Sequence, residues 1–153
     1  MFENLDELLK NGSSLTVDKS GQPTGEDIQV AVAALLIAVS GSDAGFNNDE
    51  FEVLFRAMAK HFKISDERNV QLVEIADFLS REKGKLDEFT QILNDRFERS
   101  QKQTVLGILL KIVVADGVIT DSEKSKLESV MKQLRLDESD LRKAEELLGT
   151  DMI

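Results

Sequence analysis

The sequence predicts an all-α domain. Three observations carry that prediction: a helix–turn–helix pattern that occurs twice, apolar residues at helical spacing, and two segments that are apolar nearly all round, as central helices are. No segment alternates apolar and polar residues as a half-buried strand would. In the C-terminal copy, Leu109 to Val114 lead into Ala115-Asp116-Gly117-Val118-Ile119-Thr120-Asp121-Ser122-Glu123, and Leu127, Met131, Leu134 and Leu136 follow. In the N-terminal copy, Leu36 to Val39 lead into Asp43-Ala44-Gly45-Phe46-Asn47-Asn48-Asp49-Glu50. Leu54 and Met58 then stand in register, and Phe62 and Ile64 follow after a one-residue insertion. Two matching copies argue for duplicated helical hairpins related by approximate two-fold symmetry.

Each acidic turn has a local reason to exist. Thr120 with Glu123, and Asn47 with Glu50, have the N-cap to N3 spacing, so the cap oxygen can accept from a free helix N–H while the Glu bonds back to the cap backbone. Gly117 and Gly45 supply backbone freedom for the reversal. Ile119 and Phe46 are expected to face inward and pin the turns onto the core.

The elements follow in order. Phe2, Leu5, Leu8 and Leu9 fall on one face of an amphipathic helix over 2–10, which either docks on its own domain or packs on a partner or membrane surface. Asn11 to Gly25 is rich in turn formers and holds the only proline, so it reads as a loop. Residues 1–25 thus form an N-terminal helix and loop, and 26–153 the helical domain. Its first helix spans about 26–39, and Ile28, Val30, Val32, Leu35, Leu36 and Ile37 cover nearly all its sides. The second, about 48–61, presents Phe51, Leu54, Phe55, Met58 and Phe62. Ser65 caps a third over 66–82, with Val70, Leu72, Val73, Ile75, Ala76 and Leu79 expected inside, and Gly84 follows its end.

Leu86, Phe89, Leu93 and Phe97 mark a fourth helix, and a fifth over 101–115 buries Val105, Leu106, Ile108, Leu109, Ile112 and Val113. Helices over 121–134 and, behind Asp137, over 138–148 complete the second unit. The expected architecture is one bundle of seven or eight helices with the two apolar helices at its centre.

These residues resemble the tellurite-resistance protein B (TerB) family, whose marker is an apolar helix, an Ala-Asp-Gly-x-Ile-x-x-x-Glu turn and a second helix, in two copies. Ala115 to Glu123 fits the marker fully. The first copy departs from it, with Ser42 for Ala and Ala44 for Gly, and Gly45 is placed to take over the backbone role. Leu86-Asp87-Glu88-Phe89 and Asn94-Asp95-Arg96-Phe97 resemble the linking helix of the smaller members. The resemblance spans about residues 28–148. It implies a TerB-like helical bundle and a link to tellurite or chemical stress.

Composition narrows the function. At 153 residues the chain can bury roughly 70% of its unfolded surface in one core. Without cysteine there is no thiol catalysis, thiolate metal site or disulfide framework, which points to the cytoplasm. The start lacks a basic and apolar leader pattern, and the apolar run from Ile28 to Val39 is too short to span a bilayer. A formal charge of −10 disfavours nucleic acid and anionic headgroups, whose phosphates need a basic surface. Basic proteins and cations remain compatible, and a peripheral membrane contact stays open.

Catalysis has little to work with. The single His61 has no Ser or Asp at triad spacing and reads as a solvated or capping residue, the glycines form no phosphate loop, and the phenylalanines on helices read as core. One chemical idea survives. Asp116 to Glu123 reproduces the second half of an EF-hand loop, but Ile112 and Val114, and Val39 and Gly41 in the first copy, replace the opening acids. A partial acidic site remains in each copy: Asp43, Asp49 and Glu50 in one, Asp116, Asp121 and Glu123 in the other. Its ion would be calcium, magnesium or manganese. Capping roles already account for Asp116 and Glu123, so both readings stand at this point. The expected function is a non-enzymatic interaction or stress-response module with a protein partner, the alternative a divalent-cation sensor.

Overall fold

Two helices set the architecture because neither has a polar face to give to water. In a computed structural model describing residues 15–40, 48–82, 84–115, 119–150 and 153, these are α1 (Glu26–Ser40) and α5 (Arg99–Val113). Around them lie α2 (Asn48–Phe62), α3 (Asp66–Ser80), α4 (Lys85–Arg96), α6 (Asp121–Gln133) and α7 (Glu138–Leu148). The described residues contain seven helices and no strand, only an isolated antiparallel bridge between Val17 and Pro23. The segment expected as a helix over 2–10, the first acidic turn from Gly41 to Asn47, and Asp116, Gly117 and Val118 lie outside the described residues.

Burial follows the apolar pattern closely in the centre. Ile28, Val32, Leu35, Leu36 and Val39 of α1 and Val105, Leu106, Ile108, Leu109, Ile112 and Val113 of α5 are all buried in one continuous core. Each such side chain contributes about 1.5–3 kcal/mol relative to remaining exposed. α1 touches α2, α3, α4, α5 and α6, so no side of it is left for solvent. α3 packs chiefly on α1, α7 on α5, and the halves interlock where α6 meets α1 and α2 meets α5. α4 packs on α1 and reaches α3 and α6.

Local chemistry explains the helix starts. Ser65 Oγ accepts from Arg68 N at 3.3 Å, and Asp137 Oδ1 accepts from Ser139 N at 2.9 Å. Glu98 and Gln101 form a capping box that sequence reading did not anticipate, which starts α5 two residues early. Gly107 permits a close approach: a Cβ there would lie 3.0 Å from Ile153 Cδ1 and 3.5 Å from the Ala144 carbonyl oxygen of α7. Lys111 Nζ donates to the Ile153 carbonyl at 2.7 Å.

Several apolar side chains expected inside are not. Val70 and Ile75 of α3 are 45% and 42% exposed, Phe51 and Phe78 are 42% and 67% exposed, and Ile119 is 46% exposed. In α3 only the stripe of Asn69, Leu72, Val73 and Ala76 is buried. With one principal neighbour, α1, a helix covers only the residues that face it, and Val70 and Ile75 fall on the two flanks. Ile119 stands immediately before the capped start of α6, and its exposure shows that the cap, rather than an apolar pin, holds this turn.

Candidate functional site

At α6, Thr120 N donates to Glu123 Oε1 at 3.1 Å while Glu123 N donates to Thr120 Oγ1 at 3.0 Å, the reciprocal capping expected from the spacing. Glu123 is buried, and Glu50, which holds the matching place near the start of α2, is buried too. Asp121 and Asp49 are exposed. Asp43 and Asp116 lie outside the described residues. Among the described residues no three His, Cys, Asp or Glu side chains gather as a metal site would require.

A second feature lies on α2 and α3. Their exposed apolar side chains border a groove of about 400 Å³ whose apolar lining is Ile37, Phe51, Val70 and Val73, and whose charged wall is Glu74, Asp77 and Arg81. Phe51 is braced by Phe55, the two rings stacking with centroids 5.9 Å apart. Asn69 Nδ2 donates to the Phe55 carbonyl at 2.8 Å, which fixes α3 against α2 beneath the groove. On the far flank of α3, Ile75 and Phe78 make a separate exposed apolar patch.

A sequence model described as tellurite resistance protein TerB matches residues 29–146, most of the chain. The chain belongs to the TerB family. No curated protein and no solved structure matches it.

Within this TerB domain, most of the buried charge is used for assembly. Asp18 in the loop before α1 accepts from Ser20 Oγ and from the Ser20 and Gln22 backbone, and Arg96 at the end of α4 donates to its other oxygen through Nε at 3.0 Å. The Ser20 hydroxyl leads these effects in holding the Asp18 carboxyl well below the usual carboxylate range, with burial opposing them. Lys19 N also donates to the Arg96 carbonyl, so the loop is fastened to α4. At α7, Asp140 accepts from Arg99 Nε at 2.8 Å, Gln103 Nε2 at 2.7 Å and Asp137 N at 2.8 Å. Burial would raise its carboxyl, but these donors outweigh it and hold the group well below the usual range. Lys102 is buried, donates to Asn94 Oδ1 and to the Leu134 carbonyl past the end of α6, and is lowered by burial and then by Arg135 and Arg99.

His61 corrects an expectation. Rather than being solvated or capping, it is partly buried, and its Nε2 is enclosed without a hydrogen-bond partner. Burial, reinforced by the charges of Lys60 and Lys111, lowers the imidazole to about 4. Sequence reading missed the Asp18–Arg96 and Arg99–Asp140 pairs because 78 and 41 residues separate the partners. The groove escapes it for a different reason: helical spacing places Val70 and Phe51 in the core.

Proposed function

We propose that this TerB-family chain is a non-enzymatic interaction module of a stress response, acting in the cytoplasm through a protein partner, with tellurite as the stress its family name implies. The observation that carries this reading is the exposed apolar side chains of α2 and α3, Phe51 and Val70 at the groove and Ile75 and Phe78 on the other flank of α3. Large exposed apolar side chains grouped on one pair of helices mark contact surfaces, because leaving them in water is otherwise costly. The buried carboxylates support the same reading, since Asp18 and Asp140 are paired with Arg96 and Arg99 and fasten the fold.

The test compares cells lacking the protein with cells supplied with it, alongside the purified chain. The expected outcome is loss of growth under tellurite without the protein, restored by the wild-type chain, while the purified chain leaves tellurite unconsumed. Turnover of tellurite by the purified chain alone would overturn the module reading.

A second reading, a sensor of calcium, magnesium or manganese, is favoured by the burial of Glu50 and Glu123 at matching places in the two units. Asp43 and Asp49 would join the first and Asp116 and Asp121 the second, a hard oxygen donor set suited to these ions. Glu123 uses one carboxylate oxygen in the cap, and the sensor reading assigns its other oxygen to the cation. Such an ion would bind the native state and raise its melting temperature as its concentration passes the dissociation constant. Melting unchanged by millimolar calcium, magnesium and manganese would remove this reading.

A further inference from the structure

The groove between α2 and α3 has a length and a charge that select what can fill it. Its wall runs along α3 from Val70 to Arg81, about 16 Å at the helical rise, or three turns. Three turns is the stretch over which an amphipathic helix presents anchors at i, i+3 or i+4, and i+7 to a hydrophobic groove. Ile37, Phe51, Val70 and Val73 supply the apolar floor for such anchors.

The charges decide the sign of the occupant. Arg81 is tied to Asp77 and Arg56 of α2 to Glu52, each an ion pair within its own helix, while Glu74 has no ion-pair partner among the described residues. The wall is therefore acidic on balance, in a protein of net charge −10. A second copy of this chain would bring like charge to it. The chain's own first ten residues are also a poor match, because Glu3, Asp6 and Glu7 outnumber Lys10. An anionic lipid surface is repelled on the same ground. We propose that this groove is the docking site for a basic amphipathic helix of a partner protein, its apolar face on Phe51 and Val70 and its Lys or Arg residues beside Glu74. The proposal rests on the interaction-module reading and names the surface and partner class.

Three labelled synthetic peptides of about fifteen residues test it on the full chain at physiological ionic strength: Leu/Lys amphipathic, Ala/Lys of equal charge, and Leu/Glu of equal apolarity. Fluorescence anisotropy gives affinity, and backbone NMR shifts give location. The expected result is one-to-one binding of the Leu/Lys peptide, at least tenfold tighter than either control, with shifts centred on α2 and α3. The double substitution Phe51→Ser and Val70→Ser should weaken it at least tenfold, Glu74→Lys should weaken it several-fold, and Phe78→Glu on the other flank should leave it unchanged. All replaced side chains are exposed, and circular dichroism verifies that each variant remains helical.

Equal affinity for the Ala/Lys peptide, undiminished binding by the Phe51/Val70 variant, preference for the Leu/Glu peptide, or self-association in place of peptide binding would each overturn the proposal. Photo-crosslinking in cells separates its failure from that of the broader reading. A partner captured equally by wild type and the Phe51/Val70 variant would remove the groove and leave the module standing, whereas turnover of tellurite by the purified chain would remove the module itself.

Discussion

α5 and α3 are both fifteen residues long and each carries seven apolar residues, yet they end up in opposite environments. All seven in α5 are buried, whereas in α3 only Leu72, Val73 and Ala76 are. Apolar content does not separate them; charge placement and neighbours do. α5 keeps its apolar residues contiguous from Val105 to Leu110, while Glu74 and Asp77 interrupt α3 at positions that must reach water. α5 is held between α1, α2 and α7, whereas α3 rests chiefly on α1. A helix with one main neighbour keeps its flanks, and in this chain those flanks are where contact surface is found.

The largest effect that could break the comparison is a cavity in α5. Truncating Leu109, 1% exposed, to Ala should cost about 2–5 kcal/mol, while Ile75→Ala in α3 should stay within about 0.5 kcal/mol. Urea unfolding of the two variants measures both. Similar losses would erase the distinction between a central and a peripheral helix.

A pH experiment sharpens the boundary between the two environments, because His61 sits on α2 with its ring partly in the core. Its folded pKa of about 4 lies below the unfolded value of 6.5, so the unfolded chain takes up the proton first as pH falls. Stability should therefore decline between pH 6.5 and 4, by up to about 3 kcal/mol. Asp18 and Asp140, held low, contribute stability that is present above the usual carboxylate pKa and is lost only below it, which keeps the two windows apart. Denaturant midpoints at pH 7 and 4.5 should differ in the wild type and converge in His61→Leu. An unchanged midpoint in the wild type would place the imidazole in water.

How much of this was legible in the sequence depended on range. Helix existence and type followed from local spacing, as did the cap at Thr120 and Glu123, because three residues suffice to define them. The all-round apolarity of α1 and α5 identified the centre for the same reason. Long-range facts were not legible: nothing near Asp18 announces Arg96, and nothing in α3 says that α1 would be its main cover. Helical spacing puts Phe51 and Val70 in the core because period alone cannot tell which side of an amphipathic helix lacks a neighbour. Of the six acidic candidates, Asp49 and Asp121 lie in the open and Glu50 and Glu123 inside, a division set by position within the first helical turn.

A smaller effect probes the acidic turn. Glu123→Gln keeps an acceptor for Thr120 N and should be nearly neutral, and Glu123→Ala should cost about 0.5–2 kcal/mol, with neither value depending on added metal. A sensor would behave otherwise. It would show a metal-dependent rise in wild-type melting that Glu123→Gln abolishes, and thermal unfolding with and without manganese distinguishes the two.

The smallest expected effect returns to α3. Phe78 is 67% exposed, so replacing it with Gln gives up little burial, and Gln is slightly the better helix former. These terms oppose each other, and Phe78→Gln should change stability by no more than about 0.5 kcal/mol in either direction. The measurement is an unfolding midpoint at two protein concentrations a hundredfold apart. A loss above about 1 kcal/mol would mean that the flank is covered in solution, and the concentration series says by what. If the loss grows with concentration, a second copy is the cover; if it is constant, the cover belongs to the same chain. Either result would make the far flank of α3 an interface and remove the contrast with α5 on which its exposure rests.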